Sequence, residues 1–263
     1  MDLFTAFLLG IIQGVTEFLP VSSSGHLELT KAFLGNSKPE EGLLFTLVVH
    51  AATALSTVFV FRNDIYKLLV GLFRWEKNES WLFVTHIVIS MFPAAIVGLF
   101  FEDPIANLFE GNLFLVGLAL LVTGILLRLA DTSFSTQRSL GSKHALLIGL
   151  AQAIAILPGI SRSGATIATA VLLGVEREKA ARFSFLMVIP LIFGSLLKKI
   201  MDAQSSVFSG ELLPLSVGFL SALLTGILAC RWMIALVKRS QLKFFAYYCF
   251  AVGTLALFYV YAL

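Results

Sequence analysis

Charge is what this sequence lacks. Of its 263 residues only 13% are Asp, Glu, Lys or Arg, while 58% are hydrophobic. A soluble domain carries about 25% charged residues. Half that share cannot cover a water-facing surface of this size, which excludes a soluble globular enzyme. Cysteine is equally scarce. Cys230 and Cys249 both fall in apolar runs, which argues against a disulfide or metal framework and for small buried side chains. Ten-residue segments of alternating polarity are absent, which excludes a membrane barrel. With 24 Phe, 20 Gly and no G-x-y period, disorder and collagen-like order are excluded as well. The opening Met1-Asp2-Leu3 has no basic segment, so no cleaved signal peptide is expected. The net charge of +3 gives no argument for a nucleic-acid partner, and none is expected. What remains is an all-α integral membrane protein with a mean hydropathy of +0.91.

Six stretches free of Asp, Glu, Lys and Arg approach or reach the about 20 residues a span needs: 43–61, 80–101, 113–127, 183–197, 212–230 and 244–263. The shorter ones run into Arg128, Arg182 and Lys198, which can snorkel. Two further apolar segments are interrupted. Residues 3–19 break at Pro20-Val21-Ser22-Ser23-Ser24-Gly25 and resume from His26 to Leu34. Residues 144–157 break at Pro158-Gly159-Ile160-Ser161-Arg162-Ser163-Gly164 and resume to Gly174. Arms shorter than a span, joined through helix breakers and serines, predict two re-entrant helix–loop–helix hairpins.

The basic residues choose between topologies. If both interrupted segments fold back, one side receives Arg62, Lys67, Arg74, Lys77, Arg128, Arg138, Lys143, Arg177, Lys179, Arg182, Arg231, Lys238, Arg239 and Lys243, and the other only Lys31, Lys38, Lys198 and Lys199. That is 14 against 4, with Arg162 left inside the membrane. If all eight segments cross, the split is 9 against 9. Positive-inside asymmetry favours the first arrangement, with both termini outside. The halves also repeat. Gly10 and Gln13 recur 139 residues later as Gly149 and Gln152, and Ser22, Ser24 and Gly25 as Ser161, Ser163 and Gly164. Three spans follow each copy, so the second enters from the opposite face. The expectation is one membrane domain over 1–263, built as an inverted-topology repeat of halves about 1–131 and 132–263.

The two breaks carry the chemistry. The first offers Glu17, Ser22, Ser23, Ser24 and His26; the second puts Arg162 opposite Ser23, with Thr166 just beyond. An arginine at membrane depth costs roughly 2.5–3.5 kcal/mol on insertion scales and demands a partner or an anionic ligand. Its planar fork suits phosphate oxygens. Each break opens a helix whose first N–H groups are unpaired, so two N-termini facing one point would hold a highly charged anion. A purely structural Arg162–Glu17 pair is compatible with that site. Glu17 can serve as base, metal ligand or structural anion, and Gln13, one turn earlier, shares its face. His26 is a candidate general acid or base. His50 and His86, within spans, and His144, at a basic boundary, read as packing or interface residues. Tyr66 to Trp75 reads as an interfacial segment.

At these residues the chain resembles the undecaprenyl-diphosphate phosphatases of the bacitracin-resistance family. The motifs are Gln13-Gly-Val-Thr-Glu17-Phe-Leu-Pro-Val-Ser-Ser-Ser-Gly-His26 and Leu157-Pro-Gly-Ile-Ser-Arg-Ser-Gly-Ala-Thr166. The resemblance implies an enzyme of the bacterial inner membrane that removes the terminal phosphate of a polyprenyl diphosphate, with its site open to the outer face. It implies a divalent cation, Mg2+ or Ca2+. Glu17 matches the family's essential glutamate, Ser23 the proposed nucleophile, His26 the adjacent histidine and Arg162 the diphosphate-binding arginine. Ser161, Ser163 and Thr166 match polar positions of the second motif. Position 13 is Gln where many members carry Glu, which weakens the case for a two-carboxylate metal site. Gln13, Ser22, Ser24, Gly25, Ser161, Ser163, Gly164 and Thr166 are taken as substrate-binding, and membrane lipid and the lipid diphosphate as the partners. The nucleophile stays open between Ser23, His26 and water, and a homodimer stays open. The rival reading is a secondary transporter or flippase of an anionic lipid, for which this architecture also serves.

Overall fold

The computed structural model describes residues 1–34, 39–74, 78–109, 111–133, 138–202 and 212–262. Lys38, Trp75, Lys77 and Leu263, which enter the expected spans and the charge count, lie outside them. The described residues form twelve helices: α1 (Leu3–Phe18), α2 (Ser23–Leu34), α3 (Pro39–Val60), α4 (Arg62–Phe73), α5 (Glu79–Phe100), α6 (Glu102–Phe109), α7 (Leu113–Thr132), α8 (Ser142–Ile154), α9 (Arg162–Leu172), α10 (Arg177–Asp202), α11 (Leu212–Lys238) and α12 (Leu242–Ala262). Five of them (α5, α7, α10, α11 and α12) are long and apolar enough to cross a membrane. α3 and α4 pass the same test only as a pair, bent by 72° at Phe61. The protein is thus an all-α membrane protein.

Each expected span corresponds to one helix, but several helices run further. α10 begins at Arg177 rather than at 183, and α11 continues to Lys238 rather than stopping at 230. Counting charge-free residues measures the apolar slab, whereas a helix continues through the headgroups, where Arg and Lys are solvated. Arg182 meets Asp64 at 2.6 Å and Lys238 meets Glu178 at 2.6 Å in that outer region.

Helix starts keep the sequence period. Leu3 and Ser142, and Ser23 and Arg162, are each 139 residues apart. Packing joins helices far apart in the chain. α1 lies along α11, and α8 lies along α5. Glycines permit both approaches: a Cβ on Gly14 would come within 2.6 Å of the Ala222 carbonyl oxygen, and one on Gly149 would strike the Ser90 backbone. Without a hydrophobic driving force inside lipid, such close backbone contact supplies much of the helix association. Between these pairs sits a core of Phe18, Phe183, Phe185, Met187 and Leu127, all buried. Outward-facing Phe92, Leu224 and Phe258 remain exposed, as lipid-facing side chains should.

Candidate active site

The two breaks meet. After Phe18 the chain leaves helical geometry at Leu19, and α2 begins at Ser23. Ser22, between them, takes a φ of 70°, a left-handed conformation rare for a residue with a side chain. Its hydroxyl accepts the Gly25 N–H at 3.3 Å. In the second break Ser161 caps α9 in the same way, accepting the Gly164 N–H at 3.1 Å. One of the free amides at each helix start is therefore occupied by its own cap. Gly159, at a φ of 94°, makes the second turn. Each tip is anchored from a long helix: Thr123 of α7 accepts the Ser161 N–H at 3.0 Å, and the Cys249 thiol of α12 lies 3.7 Å from the Pro20 carbonyl oxygen. Tip touches tip where a Cβ on Gly25 would lie 3.1 Å from the Gly159 Cα, and where Ser163 reaches the Leu19 carbonyl at 3.4 Å.

Glu17 is the centre of the cluster. Arg162 Nη2 donates to its Oε1. Ser23 Oγ donates to Oε2 at 2.7 Å, and Gln13 Nε2 donates to the same oxygen at 2.9 Å. His50 Nε2 stands 4.0 Å from Oε2. The Glu17 side chain is 5% exposed and that of Arg162 is 33% exposed, so the guanidinium keeps one face open. That face opens on a cavity of about 500 Å³. Glu17, Ser22, Ser23, Ser24, Ser161, Arg162 and Ser163 line its polar end. Met91, Leu99, Ile192 and Leu196 line the rest, which reaches Gly98 and Lys198 at the ends of α5 and α10. Pro93 and Pro190 interrupt the hydrogen-bond ladders of those two helices at this depth. A charged head with an apolar tail matches such a cavity.

Several expected residues stand elsewhere. Gln13 is fully buried behind Glu17 rather than on the cavity wall. Thr166 is buried too, and donates to the Arg162 carbonyl oxygen at 2.8 Å while meeting Ser184. Gly25 and Gly164 pack the tips. His26 turns away from the cavity: Nδ1 is 2.8 Å from the Ser22 carbonyl oxygen, Nε2 is 2.7 Å from the Tyr248 hydroxyl, and the two rings stack. Conversely, His50, read from sequence as a packing residue, lines the cavity. A lone histidine in an apolar run carries no signal of what faces it. Gln152 lines the cavity as well, and only its repeat relation to Gln13 singled it out.

Among the described residues no three His, Cys, Asp or Glu side chains cluster as a metal cage. The donors present are hard oxygens. Glu17 is the one at the cavity wall; the Gln13 side-chain oxygen, buried without a partner, lies behind it. One carboxylate with few protein ligands suits a cation that arrives with phosphate oxygens and water, as Mg2+ does.

Residues 6–255 match the family described as "Bacitracin resistance protein BacA". A protein of Christiangramia forsetii named "Undecaprenyl-diphosphatase" is 56% identical over 263 residues, covering 100% of both chains. One of Bacteroides fragilis with the same name is 46% identical over 98% of each chain, and one of Methanococcus vannielii is 41% identical over 96% of this chain and 98% of its own. With a family match spanning nearly its whole length and an interlocked pair of Ser-rich breaks around Glu17 and Arg162, this chain belongs to the bacitracin resistance protein BacA family.

Proposed function

We infer that this protein is a polyprenyl-diphosphate phosphatase acting on undecaprenyl diphosphate, the activity its full-length relatives are named for. The observation that carries the chemistry is a serine hydroxyl 2.7 Å from a buried carboxylate that also pairs with an arginine, at the polar end of a lipid-sized cavity. Arg162 binds the diphosphate through its open face and neutralises charge spread over the transferring phosphoryl group. Ser22, Ser24, Ser161 and Ser163 supply hydroxyls around it. The attacking oxygen, that of Ser23 or of a water in its place, loses its proton to Glu17. The bond from the terminal phosphorus to the bridging oxygen breaks, and that oxygen leaves with the lipid monophosphate; where the attacking oxygen is that of Ser23, water then displaces the Ser23 oxygen from the phosphoserine so formed, Ser23 regains its proton and inorganic phosphate is released. The apolar walls of α5 and α10 take the first isoprene units. His26 works as a positioning residue, since both its ring nitrogens are engaged with Ser22 and Tyr248. Gln13 holds Glu17 in place.

A divalent cation, Mg2+ or Ca2+, would be held by Glu17 together with the substrate's phosphates, and would supply further charge neutralisation. The two broken segments act as re-entrant hairpins of an inverted repeat within a single membrane domain. Both termini then lie outside, and the cavity, which reaches the C-terminal ends of α5 and α10, opens to the outer face of the inner membrane. The test is phosphate release by purified protein in detergent, where no gradient exists. Release from farnesyl or undecaprenyl diphosphate supports hydrolysis. Its absence in an otherwise folded sample returns the case to transport of an anionic lipid.

A further inference from the structure

Gln152 is the one cavity-lining side chain among the described residues that is almost fully buried, at 2% exposed, and makes no hydrogen bond at either end of its carboxamide. Its repeat partner explains what is missing. Gln13 sits at the equivalent place in the first half and donates to Glu17, four residues on, at 2.9 Å. Four residues after Gln152 the chain has Ile156, which offers no acceptor. The second segment has the amide without the carboxylate. A buried polar group without a partner is unfavourable, so a group with this placement is matched by something that enters the cavity. Gln152 shares the cavity wall with Ser161, Arg162 and Ser163, whose chemistry is suited to phosphoryl oxygens, and an NH2 group is a donor to the same atoms.

The geometry points to Gln152 as a substrate-binding residue that donates to a phosphoryl oxygen of the headgroup held by Arg162; this rests on the phosphatase reading. The same contact serves a lipid diphosphate or the inorganic phosphate released from it. Because the bond is made in ground state and transition state alike, its loss raises KM and leaves kcat nearly unchanged.

The experiment uses the full-length protein in detergent and three variants: Gln152→Met, which keeps the volume; Gln152→Asn, which withdraws the amide; and Gln152→Glu, which presents a negative charge. Phosphate release from farnesyl diphosphate is expected to show KM raised about tenfold to a hundredfold in Gln152→Met, and further in Gln152→Glu through like-charge repulsion. Gln152→Met is expected to keep or raise the melting temperature, because an unmatched amide is removed. If Gln152→Met does not fold, the KM of Gln152→Asn and Gln152→Glu decides. Protection against thermal unfolding by methylenediphosphonate, and separately by inorganic phosphate, gives the binding arm. Weaker protection of the variant by methylenediphosphonate alone identifies the lipid headgroup as the partner, and weaker protection by both extends the contact to released phosphate. A wild-type KM and undiminished protection in the folded variants overturn the assignment, as does a lower melting temperature in Gln152→Met with unchanged KM, which marks a merely structural amide. Wild type that is protected by methylenediphosphonate but releases no phosphate would defeat the phosphatase reading alone.

Discussion

At the scale of single residues, the Glu17–Arg162 pair decides both stability and chemistry. Removing Arg162 leaves a carboxylate buried at 5% exposure. Full burial of both partners would make that loss about 3–5 kcal/mol. Arg162 is 33% exposed, so screening reduces the expected cost to about 1–2 kcal/mol. Arg162→Ala should therefore lower the detergent melting temperature, and adding Glu17→Gln should restore most of it. Phosphate release should stay at least about a hundredfold below wild type in both. Recovery of activity together with stability would show the pair to be a lock and nothing more. Ser22 gives a second prediction. Its φ of 70° suits glycine, so Ser22→Gly should change stability by under about 1 kcal/mol, strain relief offsetting the lost cap, whereas a β-branched Ser22→Val should cost more than about 2 kcal/mol. Glu17 and Arg162 were legible in the sequence because charge in an apolar run has few explanations. His50 was not, because what faces a histidine depends on the angle at which helices cross, and no local pattern encodes that.

At the scale of helices, glycine spacing sets how near α1 approaches α11 and α8 approaches α5. Gly10→Ala and Gly149→Ala should each destabilise by about 1–3 kcal/mol, since the added methyl meets backbone in both cases. Gly98→Ala is the control: nothing lies within 4 Å of its Cβ position, and helix propensity favours alanine. Thermal melts of the three variants would settle the comparison, and equal melting temperatures would contradict it. Arg177 shows a different device. From the first turn of α10 its Nη2 donates to the carbonyl oxygens of Ala130, Asp131 and Ser133 at 3.1–3.2 Å, closing the end of α7. Composition revealed where helices run, and the Pro and Gly clusters revealed where they break. The 72° bend between α3 and α4 at Phe61 was foreshadowed only by the mixed aromatic and basic character of the segment from Tyr66 to Trp75. The capping role of Arg177 was invisible, because its carbonyl partners lie more than 40 residues away.

At the scale of the whole molecule, sidedness is the property to test. Cys230 and Cys249 are buried and free, so cysteines introduced elsewhere can be read against a silent background. Arg74→Cys and Asn107→Cys, both at exposed positions, should react with a membrane-impermeant maleimide from opposite sides, Asn107→Cys in intact cells and Arg74→Cys only after permeabilisation. Labelling of both from one side would break the proposed topology. The uneven spread of Lys and Arg is what argues for this topology, because the bilayer acts on loops regardless of how the helices pack. The interlocking of α1 with α11 and of α8 with α5 was not readable, since apolar runs do not say which helices pack together.

That interlocking has a consequence for biosynthesis. α1 leaves the ribosome first, yet its packing partner α11 starts 209 positions after it, at Leu212 against Leu3. At translation rates of about 5–20 residues per second, the N-terminal hairpin waits for ten seconds or longer. For the 145 residues that separate it from Arg162, Glu17 has no arginine beside it, and throughout the delay the glycine face of α1 is bare to lipid or to whatever insertion factor shelters it. Nascent chains stalled before Leu212 should accordingly be fragile to proteolysis, and their maturation should begin only when the last fifth of the polypeptide enters the membrane.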